Sequence, residues 1–250
     1  MNDILLSGKG LTVVQAQLGD WDNLNHLLIC EKTHTACIID PFSGSHWLEY
    51  CRDNELQLEM AALTHSHWDH SKGVGRLFEE GIEIMVHELE SERGWKGPDT
   101  HRWNHDPWTP TPLSVGELIF EAHCTPGHTP GHVTIIGNGV VISGDCLFLG
   151  RCGRADLHGG DVSHLHRSLS YLKPILERLP VDWLILPGHQ YALEDGRNPT
   201  FITVGELLKV NEALKAVDDE ARFMELEFLA FDDSLAEKAR RTRAKEGRTD

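Results

Sequence analysis

The chain has 250 residues, 40% hydrophobic and 25% charged, which suits one large α/β domain or one domain with a small appendage. Lysine and arginine total 23 against 39 aspartates and glutamates, and the formal charge of −16 argues against non-specific binding to nucleic acid or to an anionic membrane surface. No apolar run nears the roughly 18 residues of a spanning helix, and Met1-Asn2-Asp3 lacks the basic start of a signal peptide. The expected location is therefore cytosolic. Cys30, Cys37, Cys51, Cys124, Cys146 and Cys152 form no CxxC pair and are expected as reduced thiols.

In chain order, Leu11–Val14, Asn25–Cys30 and Ala36–Asp40 read as strands, with a turn at Glu31–His34 between the last two. Asp40-Pro41 closes that run, because proline removes a ladder donor. Residues 45–56 carry Trp47, Leu48 and Cys51 at helical spacing. Met60-Ala61-Ala62-Leu63 reads as the end of a buried strand, residues 73–80 as a helix and 82–86 as a strand. Residues 91–112 break the pattern with Trp95, Trp103, Trp108 and four prolines; they are expected as a lid or pocket wall, or a tryptophan-pinned surface loop, with His101 and His105 outside any metal site.

Further strands are expected at 118–123, 133–136, 140–142 and 183–186, and a helix over 161–179 capped by Asp161 or Ser163. The tail reads as helices at 203–217 and 219–230, then a charged end, Lys238 to Asp250, read as solvated.

The chemistry concentrates at Thr64-His65-Ser66-His67-Trp68-Asp69-His70, three imidazoles and a carboxylate following the apolar run at 60–63. Strand tips are where α/β sheets carry function. A loop there can fold His65 and His67 onto one point, whereas a helix does not place residues two apart on one face. Imidazole and carboxylate suit Zn, and also Fe or Mn. Three more polar groups follow apolar strands: His128 in Thr125-Pro126-Gly127-His128, Asp145 in Ser143-Gly144-Asp145, and His189 in Pro187-Gly188-His189.

Together these motifs, THSHWDH, TPGHTPGH, SGDCLF and PGHQY across residues 64–191, resemble those of metallo-β-lactamase-fold hydrolases. The resemblance implies a four-layer αββα sandwich over residues 1–199, with 200–250 as a helical extension packed on it. It implies that His65, His67 and His128 hold one divalent ion, that Asp69, His70 and His189 hold a second, and that Asp145 bridges. A bridging carboxylate and hydroxide offset the repulsion of two cations, and such a water is acidified enough to attack at neutral pH. Asp69 could orient it. His132 falls outside this ligand set and is expected to support it.

Trp68 and the C-terminal helical region resemble glyoxalase II, which hydrolyses S-acylglutathione thioesters. Arg151-Cys152-Gly153-Arg154 and Tyr191 stand where that family grips glutathione, and a guanidinium such as Arg154 can hold a carboxylate bidentately. Arg154 could equally form a salt bridge to Asp156 or Asp161. Ala155-Asp156 departs from the family's basic–aromatic pattern and resembles thioesterase-like relatives and persulfide dioxygenases. The leading expectation is hydrolysis of a small-molecule thioester by a monomer or homodimer. The alternatives are a mononuclear iron dioxygenase using His65, His128 and Asp145, or a lactone or phosphodiester hydrolase on the same scaffold. A catalytically silent binding protein would be expected to have lost a ligand, and none is substituted.

Overall fold

The computed structural model describes residues 2–229, so the charged end at 238–250 and the last residue of the expected 219–230 helix lie outside the described residues. Two sheets stack face to face. The first runs β1 (Asn2–Leu6), β2 (Leu11–Leu18), β3 (Asn23–Cys30), β4 (Thr35–Ile39), β5 (Gln57–Ala62), β6 (Glu83–His87) and β7 (His101–Trp103), in sequence order. Between its strands lie α1 (Gly44–Asp53), α2 (Trp68–Ser71) and α3 (Val74–Glu79). The second sheet has β8 (Pro110–Val115), β9 (Leu118–Cys124), β10 (Val133–Gly137), β11 (Val140–Gly144), β12 (Leu184–Pro187) and β13 (Ile202–Thr203), in spatial order β13-β12-β11-β10-β9-β8. Helix α4 (Val162–Leu176) precedes β12, and α5 (Val204–Val210), α6 (Glu212–Ala216) and α7 (Glu220–Met224) follow β13.

The strands read as unbroken apolar runs because both faces are buried. Along β2, Val13 enters the inter-sheet core and Val14 the outer one; on β3, Leu28 and Leu27 divide the same way. The outer face of the first sheet packs on Trp47, Cys51 and Leu77 of α1 and α3. The outer face of the second packs on Leu165, Leu169 and Leu172 of α4 together with Leu207, Leu214 and Phe223 from α5, α6 and α7. Three apolar layers between four structural ones make the αββα sandwich. All six cysteines are buried and unpaired.

Residues 91–112, expected as a lid, a pocket wall or a pinned loop, are partly built into the two sheets. They supply β7, which pairs in parallel with β6, and the start of β8, and they bury Trp103 between the sheets. Pro110 and Pro112 sit on an edge strand, where a missing donor costs no ladder bond. The expected 203–217 helix is broken at Asn211, whose backbone is extended. Its buried amide donates to the carbonyls of Phe148 (2.9 Å) and Arg151 (3.1 Å), and its oxygen caps α6 at Leu214 N. β4, β5 and β6 run parallel, as do β11 and β12, so their C-terminal tips open on the same end of the sandwich as the ligand-bearing loops.

Candidate metal centre

Four histidines at this end, His65, His70, His128 and His189, are each fixed by a bond on the ring nitrogen that faces away from the centre. Thr64 Oγ1 donates to Asp40 Oδ2 at 2.6 Å, which leaves it to accept from His65 Nδ1–H at 3.0 Å. His70 Nδ1–H donates to the same Asp40 oxygen at 3.0 Å. His128 Nδ1–H donates to Arg154 O at 2.7 Å and His189 Nδ1–H to Trp21 O at 2.8 Å. The four Nε2 atoms are thereby aimed inward, the orientation that ligates a metal. His67 presents Nδ1 instead, 2.9 Å from His128 Nε2.

His65, His67 and His128 form one group able to hold a cation; Asp69, His70 and His189 form another. Asp145 lies between them, its carboxylate 3.5 Å from His128 Nε2, 3.5 Å from His70 Nε2 and 3.3 Å from His189 Nε2. In the second group, Asp69 Oδ2 is 3.3 Å from His189 Nε2 and 3.6 Å from His70 Nε2, and the two imidazoles are 3.0 Å apart. A tetrahedral site with bonds near 2.0–2.1 Å has donor–donor edges of about 3.3–3.4 Å. The spacings cluster around that value. His65 Nε2 and Asp145 Oδ1 are buried without a hydrogen-bond partner among the described residues.

Electrostatics agree. Burial holds His65 and His67 well below the usual imidazole range and lowers His128, so these three stay in the neutral, ligating form. Burial also opposes charge on His70, but Asp145, Asp69 and Asp40 outweigh it and push this imidazole up to about 10. His189 is likewise raised against burial by Asp145 and Asp69. Burial alone would raise the Asp69 and Asp145 carboxyls; the neighbouring His70 and His189 hold both low. The second group thus demands positive charge, which protons or a metal can meet.

The surrounding loops are clamped by further groups, most of which sequence reasoning missed. Asp40 braces His70 and also accepts from Thr64 N at 2.7 Å. Glu90, fully buried, accepts from Ser66 N (2.8 Å) and Ser66 Oγ with one oxygen and from Gly131 N (2.8 Å) with the other, tying the His65–His67 loop to the His128 loop. Arg93 donates to Ser66 Oγ at 3.1 Å and is the part of the 91–112 segment that reaches the centre. His132 Nε2 accepts from the backbone of Asp145 and Cys146, both at 3.2 Å, the supporting role expected of it. Of these, the sequence singles out His132 as a supporting residue and marks Asp40-Pro41 only as a strand end; Glu90 and Arg93 carry no sign.

The four expected substrate contacts are placed differently. Arg154 is paired through two nitrogens with Asp156, the salt-bridge alternative. Cys152 is fully buried in the outer apolar layer. Gly153 is a close-approach residue: a Cβ there would stand 1.8 Å from Asp145 O. Tyr191 packs on Phe148 (4.8 Å between ring centres) and lies beside His189 (6.1 Å), with the guanidinium of Arg151 stacked over it at 4.3 Å.

The model of the metallo-beta-lactamase superfamily matches residues 20–189. The chain belongs to that superfamily. Among its superfamily relatives, a hydroxyacylglutathione hydrolase of Tolumonas auensis is 28% identical over 175 residues, 67% of this chain and 62% of the relative, so the match spans less than two thirds of that protein. Among solved structures, ETHE1 from Myxococcus xanthus superposes with a TM-score of 0.69 at 26% identity, covering 84% of this chain and 87% of that one. TTHA1623 in a di-iron-bound form gives a TM-score of 0.61 at 27% identity, covering 79% and 98%.

Proposed function

We propose that this superfamily member is a metal-dependent hydrolase of a small-molecule thioester, of the S-acylglutathione kind. His65, His67 and His128 would hold one divalent cation, Asp69, His70 and His189 the second, and Asp145 would serve both; zinc suits the donor set best. The observation that carries this is the convergence of seven donors from four loops at tetrahedral-edge spacing in one buried centre. Such a pair, when bound, supplies Lewis acidity and an acidified water.

The chain's own residues do the rest. Asp69 would accept a hydrogen bond from such a water and orient it. Asp40, Trp21 O and Arg154 O keep the imidazoles in the ligating tautomer. A thiolate leaving group, with a thiol pKa of about 8.5, departs without a strong acid. Tyr191 and Phe148 offer an aromatic face beside His189 to the thiol carrier, and Arg151, stacked over Tyr191, brings positive charge to that side. On this reading residues 1–199 are the catalytic unit and the helices from 204 to 229 belong to its C-terminal extension, in a cytosolic monomer or homodimer without nucleic-acid or membrane partners.

The test is hydrolysis of S-lactoylglutathione by zinc-loaded protein, with His67→Ala as control. Equal rates for the two would refute the proposal. The likeness to ETHE1 supports a second reading, a persulfide dioxygenase with one iron on His65, His128 and Asp145. One iron per chain and oxygen consumption on glutathione persulfide would favour it; two metals per chain would exclude it.

A further inference from the structure

Asn23 is 1% exposed and opens β3. Its Nδ2 donates to Asp69 Oδ2 at 2.9 Å and, more distantly, to Asp69 O at 3.4 Å. The reverse amide orientation would set two acceptors against each other, so the assignment is fixed by the carboxylate. The oxygen it holds is the one facing His189 and His70. The same residue forms an antiparallel bridge with His189. Leu24 N donates to Gly188 O at 2.8 Å and Gln190 N to Asp22 O at 3.0 Å, so the segment is laced to the His189 strand end on both sides. One amide therefore ties Asp69 to the backbone that carries His189.

The other half of that amide is costly. Asn23 Oδ1 is buried with no hydrogen-bond partner among the described residues. An unsatisfied buried carbonyl is rarely kept for packing alone. Leucine would fill the same space without the penalty.

Resting on the two-metal reading above, we propose that Asn23 is a positioning residue for the second cation. It fixes which Asp69 oxygen meets the metal and holds that oxygen in register with His189. It does not touch the first group, whose donors come from the 64–67 and 125–132 loops.

Stripped full-length protein is titrated with Co²⁺, read by its absorption bands, and with Zn²⁺ in competition with a chromophoric chelator. Wild type shows two binding steps. In Asn23→Leu one step stays within about 3-fold and the other weakens roughly 10–100-fold. Thioester kcat falls by a similar factor while KM holds within about 2-fold, since no substrate contact is lost. Asn23→Ser, too short to reach Asp69 but polar and small, gives the same split and serves if the leucine variant does not fold. Both steps weakening together, or neither, overturns the proposal. A wild type that binds one ion overturns instead the two-metal reading beneath it.

Discussion

Replacing Glu90 with glutamine tests whether one buried carboxylate holds two ligand loops together. Glu90 accepts from Ser66 N and Oγ on one side and from Gly131 N on the other. The glutamine amide keeps one accepting oxygen, so whichever way it turns its NH2 faces at least one buried backbone N–H. An orphaned donor costs about 1–3 kcal/mol, and the bonds that remain lose their charge assistance, about 1 kcal/mol more. The sum is about 3 kcal/mol. For a domain of this size each kcal/mol moves Tm by about 2–4 °C, so Glu90→Gln should lower Tm by about 6–12 °C. Because His67 and His128 ride on the two loops, the first metal should also weaken roughly 10–100-fold. Scanning calorimetry of metal-loaded protein and metal content after dialysis against chelator read both effects. A Tm change under about 2 °C with unchanged metal content would show that the loops are held by something else.

Three further outcomes are expected. Gly153→Ala places a Cβ 1.8 Å from Asp145 O and 3.2 Å from His128 Nδ1; the forced shift should lower turnover about 100-fold, measured by steady-state kinetics, and near-normal turnover would refute the close-approach argument. His26, buried against Gln15, is pushed down to about 3 by desolvation. Its folded pKa lies below its unfolded value of 6.5, so its stabilisation is complete above pH 6.5 and is lost as pH falls toward 3, at up to about 1.4 kcal/mol per pH unit. Thermal melts of His26→Gln should show a shallower loss over that window than wild type. Chelation should abolish activity and lower Tm, since each ion held at 100 times its Kd contributes about 2.7 kcal/mol; activity indifferent to chelator would end the metal account.

Some of this was visible in the residue string because it is local. A strand buried on both faces must be apolar at every position, and Asn25–Cys30 and Val140–Ile142 could be read on that alone. The edge strand β1 was missed because it is short and half exposed, and β7 because three residues among prolines and tryptophans carry no period. The C-terminal helices were expected too long because Asn211 favours a helix break only by the carbonyls it meets from residues 148–151.

The sequence by itself held every side chain of the proposed donor set, since metal chemistry needs particular residue types, and each follows an apolar strand run. Tertiary structure alone decided what supports those donors. Asn23 on Asp69, Asp40 on His70 and Glu90 on Gly131 join residues 46, 30 and 41 positions apart. A single amide or carboxylate has no spacing signature, and its partner exists only once two strand ends have been brought to the same edge of the sandwich.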